Sequence, residues 1–213
     1  MDPDGGMIAE AERRTAELGL AERARWVRAR AEDLTAAELG TFNVVTFAQS
    51  FHWMDRDLVA TIVKSLLRPG GAVVHLADLK TETRTVDGLP FPAVPYAAID
   101  QLVGRYLGPK RRAGQDVLRY GTPGNEEAVF ARTGYSGPER HAIPGGQALE
   151  RTVNDVVAWT YSMSWAAPHL FGERAKEFEA DLRHLLLEAS ATGTFSERQP
   201  STDMRIWRLG VGA

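Results

Sequence analysis

The stretch Phe42-Asn43-Val44-Val45-Thr46-Phe47 decides the fold, because a short run of β-branched and aromatic residues is typical of a buried parallel strand. From Asp55 onward, apolar residues recur at helical spacing as far as Leu67. The turn sequence Arg68-Pro69-Gly70-Gly71 then separates this helix from a second apolar run, Ala72 to Leu76. Strand, helix and strand in this order predict an α/β fold with a parallel sheet and helical crossovers.

The flanking segments extend the same alternation. Upstream, a helix is predicted over 7–18 with Asp4 as its N-cap, and a short strand over 25–27. Thr35 and Glu38 have the spacing of a capping box and indicate one helical turn. Downstream we predict helices over 96–106, 126–132, 153–163 and 173–189, and strands over 140–143 and 204–209. The alternating pattern of the last segment is typical of an antiparallel edge strand.

The composition is that of an average soluble globular protein, with 44% hydrophobic and 25% charged residues. A net charge of -3 gives no broad attraction to nucleic acid or anionic lipid, so neither is an expected partner. The absence of cysteine excludes disulfides and thiolate metal sites, and no apolar run is long enough to predict a membrane helix. We therefore expect a cytoplasmic protein. No metal is expected, because no ligand spacing relates the five histidines His52, His75, His141, His169 and His184.

Candidate site residues lie at the predicted strand ends, where ligands bind in open α/β sheets. The first group is Asp2, the second is Ala31 with Glu32, and the third is the run 48–53. An aspartate at such a position can accept two hydrogen bonds from a ribose diol, as in nicotinamide-binding folds, or it can simply cap a helix. Residue type alone leaves both roles open for Asp2.

The third group is the densest. Gln49, Ser50, His52 and Trp53 place an amide, a hydroxyl, an imidazole and an indole after one strand, which packing alone does not easily explain. An imidazole titrates near neutral pH and can act as a base. A histidine can equally be structural, and the sequence leaves the two roles of His52 open.

Four segments in order resemble the consecutive signatures of class I S-adenosylmethionine (SAM) dependent methyltransferases. They are the runs 1–4 (Met-Asp-Pro-Asp), 30–34 (Arg-Ala-Glu-Asp-Leu), 42–53 and 66–71 (Leu-Leu-Arg-Pro-Gly-Gly). More narrowly they are similar to the small-molecule group, methyltransferase type 11, which contains trans-aconitate and ubiquinone-biosynthesis type enzymes. The resemblance implies a Rossmann-like sheet, SAM as cofactor and methyl transfer to an oxygen, nitrogen or carboxylate of a small-molecule acceptor.

The resemblance also implies a role for each candidate residue. The cofactor-binding residues would be Asp2, Ala31, Glu32, Ala48 and Gln49, and the catalytic residues would be His52 and Trp53. Asp2 would bind the ribose hydroxyls, and the Ala31 amide would meet the adenine ring with Glu32 close by. Ala48 and Gln49 would line the methionine end, and His52 and Trp53 would face the methyl group and the acceptor. Two positions depart from the family pattern, Arg30 in place of an acid and Asn43 in place of an aspartate.

The family's sheet has a first strand and a glycine-rich loop that no segment before Met1 supplies. We therefore expect a partial cofactor-binding core over residues 1–80. Residues 81–213 would add a substrate-side helical insertion before the last strand, and the C-terminal strands of the same domain. Such a chain would begin upstream of Met1, or pair with itself as a homodimer or with another protein, or stand as a fragment. We expect the isolated chain to bind SAM weakly or not at all.

Two other classes of function remain open at this point. A nicotinamide-dependent oxidoreductase would use Asp2 in the same way, although the Arg68-Pro69-Gly70-Gly71 turn favours the methyltransferase. A non-catalytic fragment or binding module would use the helices alone.

Overall fold

The computed structural model describes residues 1–79, 87–109, 112–113, 116–117 and 125–210. The described chain divides into two compact units. The first comprises Met1–His75, Gly124–Glu139 and Arg205–Ala213, and the second comprises Leu76–Pro123 and Arg140–Met204. The domain boundary predicted near residue 80 stays a prediction.

Helices and strands alternate along the chain, which confirms the α/β class. In chain order they are α1 (Gly5–Glu17), α2 (Ala36–Leu39), β1 (Phe42–Ala48), α3 (Arg56–Leu66), β2 (Leu67–Asp78), α4 (Tyr96–Leu107), β3 (Arg112–Ala113), β4 (Asp116–Val117), α5 (Glu126–Arg132), β5 (Tyr135–Ile143), β6 (Ala148–Thr152), α6 (Val153–Ser162), α7 (Ala175–Ala189), β7 (Thr194–Arg198) and β8 (Thr202–Leu209). The main sheet has the strand order β1-β2-β8-β5. Two strand pairs stand apart from it, β3 with β4 and β6 with β7.

Helix α3 connects the neighbouring strands β1 and β2, as the sequence predicts. Its N-cap is Asp55, whose side chain accepts a hydrogen bond from the backbone N–H of Leu58 at 3.1 Å. Its apolar face is buried in a core built from α3, α5 and the sheet. The large members of that core are Phe47, Phe51, Val59, Val63, Val73, Val129, Phe130, Tyr135 and Trp207. Full burial of one such side chain contributes roughly 1.5–3 kcal/mol, so this core fixes the first unit.

Strand β1 forms as predicted, but the expectation that it is buried is wrong. It lies at the end of the strand order, and within the described residues no other strand pairs with its outer edge. Only Phe47 is buried and Val45 half-buried, whereas Phe42 and Val44 are 41% and 51% exposed. Hydrophobicity predicts that a strand forms, but its burial depends on neighbours that the strand's own residues do not specify.

The strand predicted over 25–27 is wrong as well. That segment makes one isolated parallel bridge, between Asp2 and Arg28. Its bonds run from the Asp2 N–H to the Val27 carbonyl and from the Ala29 N–H to the Asp2 carbonyl, both at 3.2 Å. A strand requires a longer ladder than this single bridge.

The capping box predicted at Thr35 does not form. The Thr35 hydroxyl donates to the Glu38 carboxylate at 2.9 Å, and the Thr35 side chain makes no bond to the helix backbone. The two capping side chains therefore satisfy each other, and α2 has only four residues.

The predicted turn at 68–71 lies inside β2, because the strand begins directly after α3 ends at Leu66. Gly71 is required there by close approach of the chain. A Cβ at this position would lie 2.8 Å from the Arg68 carbonyl oxygen and 3.1 Å from that of Asn43. Gly70 and Gly71 therefore lie in the first residues of β2 and do not form a separate loop.

Strand β8 exists as predicted but is not an edge strand, since it lies between β2 and β5. Its Trp207 is fully buried, with its ring centroid 4.5 Å from that of Phe130. The predicted strand over 140–143 begins earlier, at Tyr135.

In the second unit, β6 and β7 pair antiparallel in register from Ala148 with Arg198 to Thr152 with Thr194. Helices α4, α6 and α7 enclose a second core that includes Phe171 and Phe178, whose rings stack at 3.9 Å. Residues of the predicted substrate-side helical insertion therefore contribute to this core. A role for them in substrate binding stays a prediction.

Candidate functional site

The turn after β1 carries the densest group of predicted site residues. Ala48 is the last residue of the strand, and Phe51–Trp53 form a 3-10 turn directly before α3. Phe51 is fully buried, with its ring 4.8 Å from that of Phe47 and stacked at 5.0 Å on that of Phe130. This anchor fixes the turn and leaves the neighbouring residues nearer the surface.

His52 and Trp53 are both half-buried, and their ring centroids lie 4.9 Å apart. Their rings are tilted by 43° to each other. The structure therefore brings together the two residues predicted to be catalytic, as an imidazole beside an indole at the end of β1. Both side chains keep surface that a ligand can reach.

Gln49 is exposed and has a left-handed backbone with φ of 54°. Such a conformation is uncommon for a residue other than glycine, asparagine or aspartate, and it costs roughly 1–3 kcal/mol. The sharp turn it produces separates the end of β1 from the anchored turn at Phe51. The sequence alone gave no sign of this geometry.

The Glu32 side chain links the 31–33 turn to the segment that follows the 51–53 turn. It lies in the 3-10 turn Ala31–Asp33, and its Oε1 accepts a hydrogen bond from the Asp55 backbone N–H at 3.0 Å. Its Oε2 lies 3.5 Å from the Arg30 guanidinium Nε. Burial by itself would raise the pKa of Glu32, but the backbone hydrogen bonds and Arg30 outweigh it and lower the pKa below its usual range. The lowered pKa favours an ionised Glu32, which is hydrogen-bonded to Asp55, two residues after Trp53.

Asp2 is half-exposed beside the bridge to Arg28. Its Oδ1 accepts a hydrogen bond from the Asp4 N–H at 2.8 Å. The cap of α1 is Asp4, which accepts bonds from the N–H groups of Gly6 and Met7. The N-cap of α1 is therefore Asp4 and not Asp2. Of the two roles that residue type left open for Asp2, only the binding of ribose hydroxyls stays a prediction.

Ala31 is 4% exposed and belongs to the first core. Its side chain is occupied by packing, so only its backbone can contact a ligand. Asp2 bridges to Arg28, which lies three residues before the 31–33 turn. Glu32 of that turn accepts a hydrogen bond from Asp55, which lies two residues after the 51–53 turn. Three of the predicted segments are therefore parts of one connected arrangement.

Sequence reasoning missed two residues that shape this arrangement. Phe51 could have been found, because an aromatic residue among polar ones suggests an anchor. The role of the Asp55 backbone N–H had no sequence signal, since any residue type offers the same donor.

No group of three or more histidine, aspartate or glutamate side chains in the described part of the chain could hold a metal ion. No helix among the same residues has the length and apolar character needed to cross a membrane.

Comparison with known proteins gives two sequence matches. Residues 1–71 match a family model described as a methyltransferase domain. A probable S-adenosylmethionine-dependent methyltransferase of Saccharomyces cerevisiae, CRG1, is 26% identical over 126 residues, which make up 57% of this chain. The chain spans only 41% of the length of that yeast protein.

Distant likenesses to solved structures accompany these matches. The cyclase SpnF has a TM-score of 0.46 at 15% identity, covering 98% of this chain and 65% of that one. The YcgJ protein from Bacillus subtilis has a TM-score of 0.45 at 14% identity, covering 99% and 81%. The assignment rests on the sequence matches rather than on these.

The two sequence matches relate this chain to the S-adenosylmethionine-dependent methyltransferases. Residues 1–71 are similar to a methyltransferase domain, and the yeast relative is a probable enzyme of that class.

Proposed function

We propose that this chain transfers a methyl group from SAM to a small-molecule acceptor. The observation that carries the proposal is the anchored turn 49–53, which holds His52 and Trp53 half-exposed at the end of β1, within the region that matches the methyltransferase domain. The resemblance of four sequence segments to the small-molecule group supports the acceptor class. The net charge of -3 does not favour nucleic acid as the acceptor.

The residues at the strand ends fit the cofactor. The Asp2 carboxylate uses Oδ1 for the bond from Asp4, and within the described residues its Oδ2 is left for a ribose hydroxyl. The backbone of Ala31 would meet the adenine ring, and Ala48 with Gln49 would line the methionine end. Both oxygens of Glu32 are engaged by Asp55 and Arg30, so we propose that Glu32 acts by positioning the adenine side of the site.

SAM supplies an electrophilic methyl group when it is bound, so the protein contributes mainly orientation and exclusion of water. For a hydroxyl or amine acceptor, the His52 imidazole would take the proton that the acceptor loses. For a carboxylate acceptor no proton is removed, and His52 would only orient the acceptor. Trp53 would provide an apolar wall beside His52, since their rings lie 4.9 Å apart.

The test is calorimetric titration with S-adenosylhomocysteine (SAH) after circular dichroism has shown that the chain is folded. Of the two outcomes that the sequence left open, weak binding and no binding, we propose weak binding, with a saturable isotherm and a dissociation constant above the micromolar range. A parallel titration with NADH separates this proposal from an oxidoreductase, because that class would bind NADH and ignore SAH. A folded chain that binds neither SAH nor NADH would overturn the proposal.

A cytoplasmic location is part of the proposal, and cell fractionation checks it.

A further inference from the structure

A series of buried aromatic rings runs from the interior of the main sheet to the site turn. Trp207 lies on β8, and its ring centroid is 4.5 Å from that of Phe130 on α5. The Phe130 ring is stacked on that of Phe51 at 5.0 Å, with the two planes 16° apart. All of these side chains are fully buried. Because Phe51 begins the turn that carries His52 and Trp53, the series ends at the residue before the proposed acceptor-facing pair.

The strand that carries Trp207 has little room to shift. β8 lies between β2 and β5 in the sheet. On the β5 side, a Cβ at Gly137 would lie 2.8 Å from the Ile206 carbonyl oxygen and 3.4 Å from the Trp207 Cα, so the two backbones approach closely. Packed interiors transmit strain and do not absorb it. A ring attached to this strand can therefore fix the position of the rings that it contacts.

A fourth ring closes the series. The His75 ring on β2 lies 6.4 Å from that of Phe51 and 6.5 Å from that of Trp207, and it is edge-on to both. These separations are within the range in which edge-to-face ring pairs are favourable. Trp207, Phe130, Phe51 and His75 thus form one closed aromatic group. The Trp207 Nε1 is buried and donates no hydrogen bond within the described part of the chain, so Trp207 contributes to the group through its ring.

We propose that Trp207 is a positioning residue for the turn at 51–53, acting through Phe130 and Phe51. The Trp207 ring limits the movement of the Phe130 ring, and the stacked Phe130 ring limits that of Phe51. The turn that follows Phe51 is therefore held from β8. The importance of this turn for methyl transfer rests on the proposed function, whereas the effect of Trp207 on the turn does not.

Hydrogen exchange of the turn's own amides, followed by NMR, is the first test. The Trp53 N–H donates to the Ser50 carbonyl at 3.0 Å and the Met54 N–H to the Phe51 carbonyl at 3.3 Å, so their exchange rates report local opening of the turn. Trp207→Leu should raise both rates about tenfold, because opening no longer separates a complete aromatic group. Trp207→Phe keeps an aromatic ring in the group and should bring both rates back to within about twofold of wild type.

Val63→Ala is the control for a general loss of stability. Val63 is buried in the same core on α3, and it is not part of the aromatic group. Its truncation should lower the urea concentration at the midpoint of unfolding. The Trp53 and Met54 amides should nevertheless exchange as in the wild-type chain, because local opening does not depend on global stability.

Titration with SAH is the second test, and it connects the turn to the cofactor site. Trp207→Leu should weaken SAH binding about fivefold, because a loosened turn no longer holds its residues in the geometry that binding needs. Val63→Ala should bind SAH like the wild-type chain. A wild-type chain that binds no SAH would overturn the proposed function, while hydrogen exchange would still decide the effect of Trp207 on the turn.

Two outcomes would overturn the positioning role. One is exchange of the Trp53 and Met54 amides that is no faster in Trp207→Leu than in Val63→Ala. The other is faster exchange in Trp207→Leu with the SAH affinity of the wild-type chain. If Trp207→Leu does not fold, Phe130→Leu interrupts the same group at its middle ring, and the same comparison with Val63→Ala decides.

Discussion

Gln49 shows how one residue can carry information about a site through its backbone. Its positive φ is tolerated poorly by branched side chains and freely by glycine. Polar residues after a strand are visible in the sequence, but their dihedral angles are not. The sequence therefore predicted that Gln49 belongs to the site without predicting the turn that it makes.

Gln49→Gly should retain or slightly raise stability, since it relieves the left-handed strain at the cost of a more flexible unfolded chain. Gln49→Val should lower the free energy of unfolding by about 1–2 kcal/mol relative to the glycine variant. Urea unfolding of the two variants measures the difference. Equal stability of the two would show that the backbone at residue 49 is not left-handed.

Asp2 offers a second test at this scale, now of ligand binding. Asp2→Asn should weaken SAH binding about tenfold, because a neutral amide replaces the carboxylate acceptor proposed for the ribose hydroxyls. Asp100→Asn, at an exposed position of α4, is the control and should bind like the wild-type chain. Calorimetric titration of both variants decides the matter. Unchanged affinity of Asp2→Asn would remove Asp2 from the site.

At the scale of elements, the helices were predicted better than the strands. The α3 segment carries its own N-cap, Asp55, and apolar residues at helical spacing, so local residues specify it. Strand neighbours depend on distant segments, which is why the short strand at 25–27, the burial of β1 and the edge position of β8 were predicted wrongly. The brace between Glu32 and α3 could not be predicted at all, because its donor is a backbone N–H.

That brace makes stability depend on pH. The lowered pKa of Glu32 means that its contribution is fully present above its unfolded pKa of about 4.3 and is lost as pH falls through the folded-state pKa. Glu32→Gln should therefore lower the free energy of unfolding by about 1 kcal/mol at neutral pH. The difference in free energy of unfolding between Glu32→Gln and the wild-type chain should become smaller in acid.

Thermal melts of Glu32→Gln across an acid-to-neutral series measure this effect. Glu12→Gln, at an exposed position on α1, is the matched control and should show a much smaller difference from wild type. A loss of stability in Glu32→Gln that stays constant from neutral pH into acid would contradict a stabilising role for the hydrogen bond between Glu32 and the Asp55 N–H.

At the scale of the whole molecule, two separate cores allow stability and site geometry to be tested independently. Phe51 anchors the site turn in the first core, and Phe178 is fully buried in the second. Phe51→Leu and Phe178→Leu should each lower the free energy of unfolding by about 1–3 kcal/mol. Only Phe51→Leu should also weaken SAH binding, because only it loosens the turn that carries His52 and Trp53. Equal affinity of the two variants would show that the turn does not shape the cofactor site.

We propose that the strand-end site of this chain binds the cofactor of the class I methyltransferases. Calorimetric titration of the folded wild-type chain with SAH, carried to millimolar ligand, tests it most directly. We expect a saturable isotherm, with binding that Asp2→Asn weakens and Asp100→Asn does not. A folded chain that gives no saturable heat with SAH, or that loses binding equally in both variants, would contradict it.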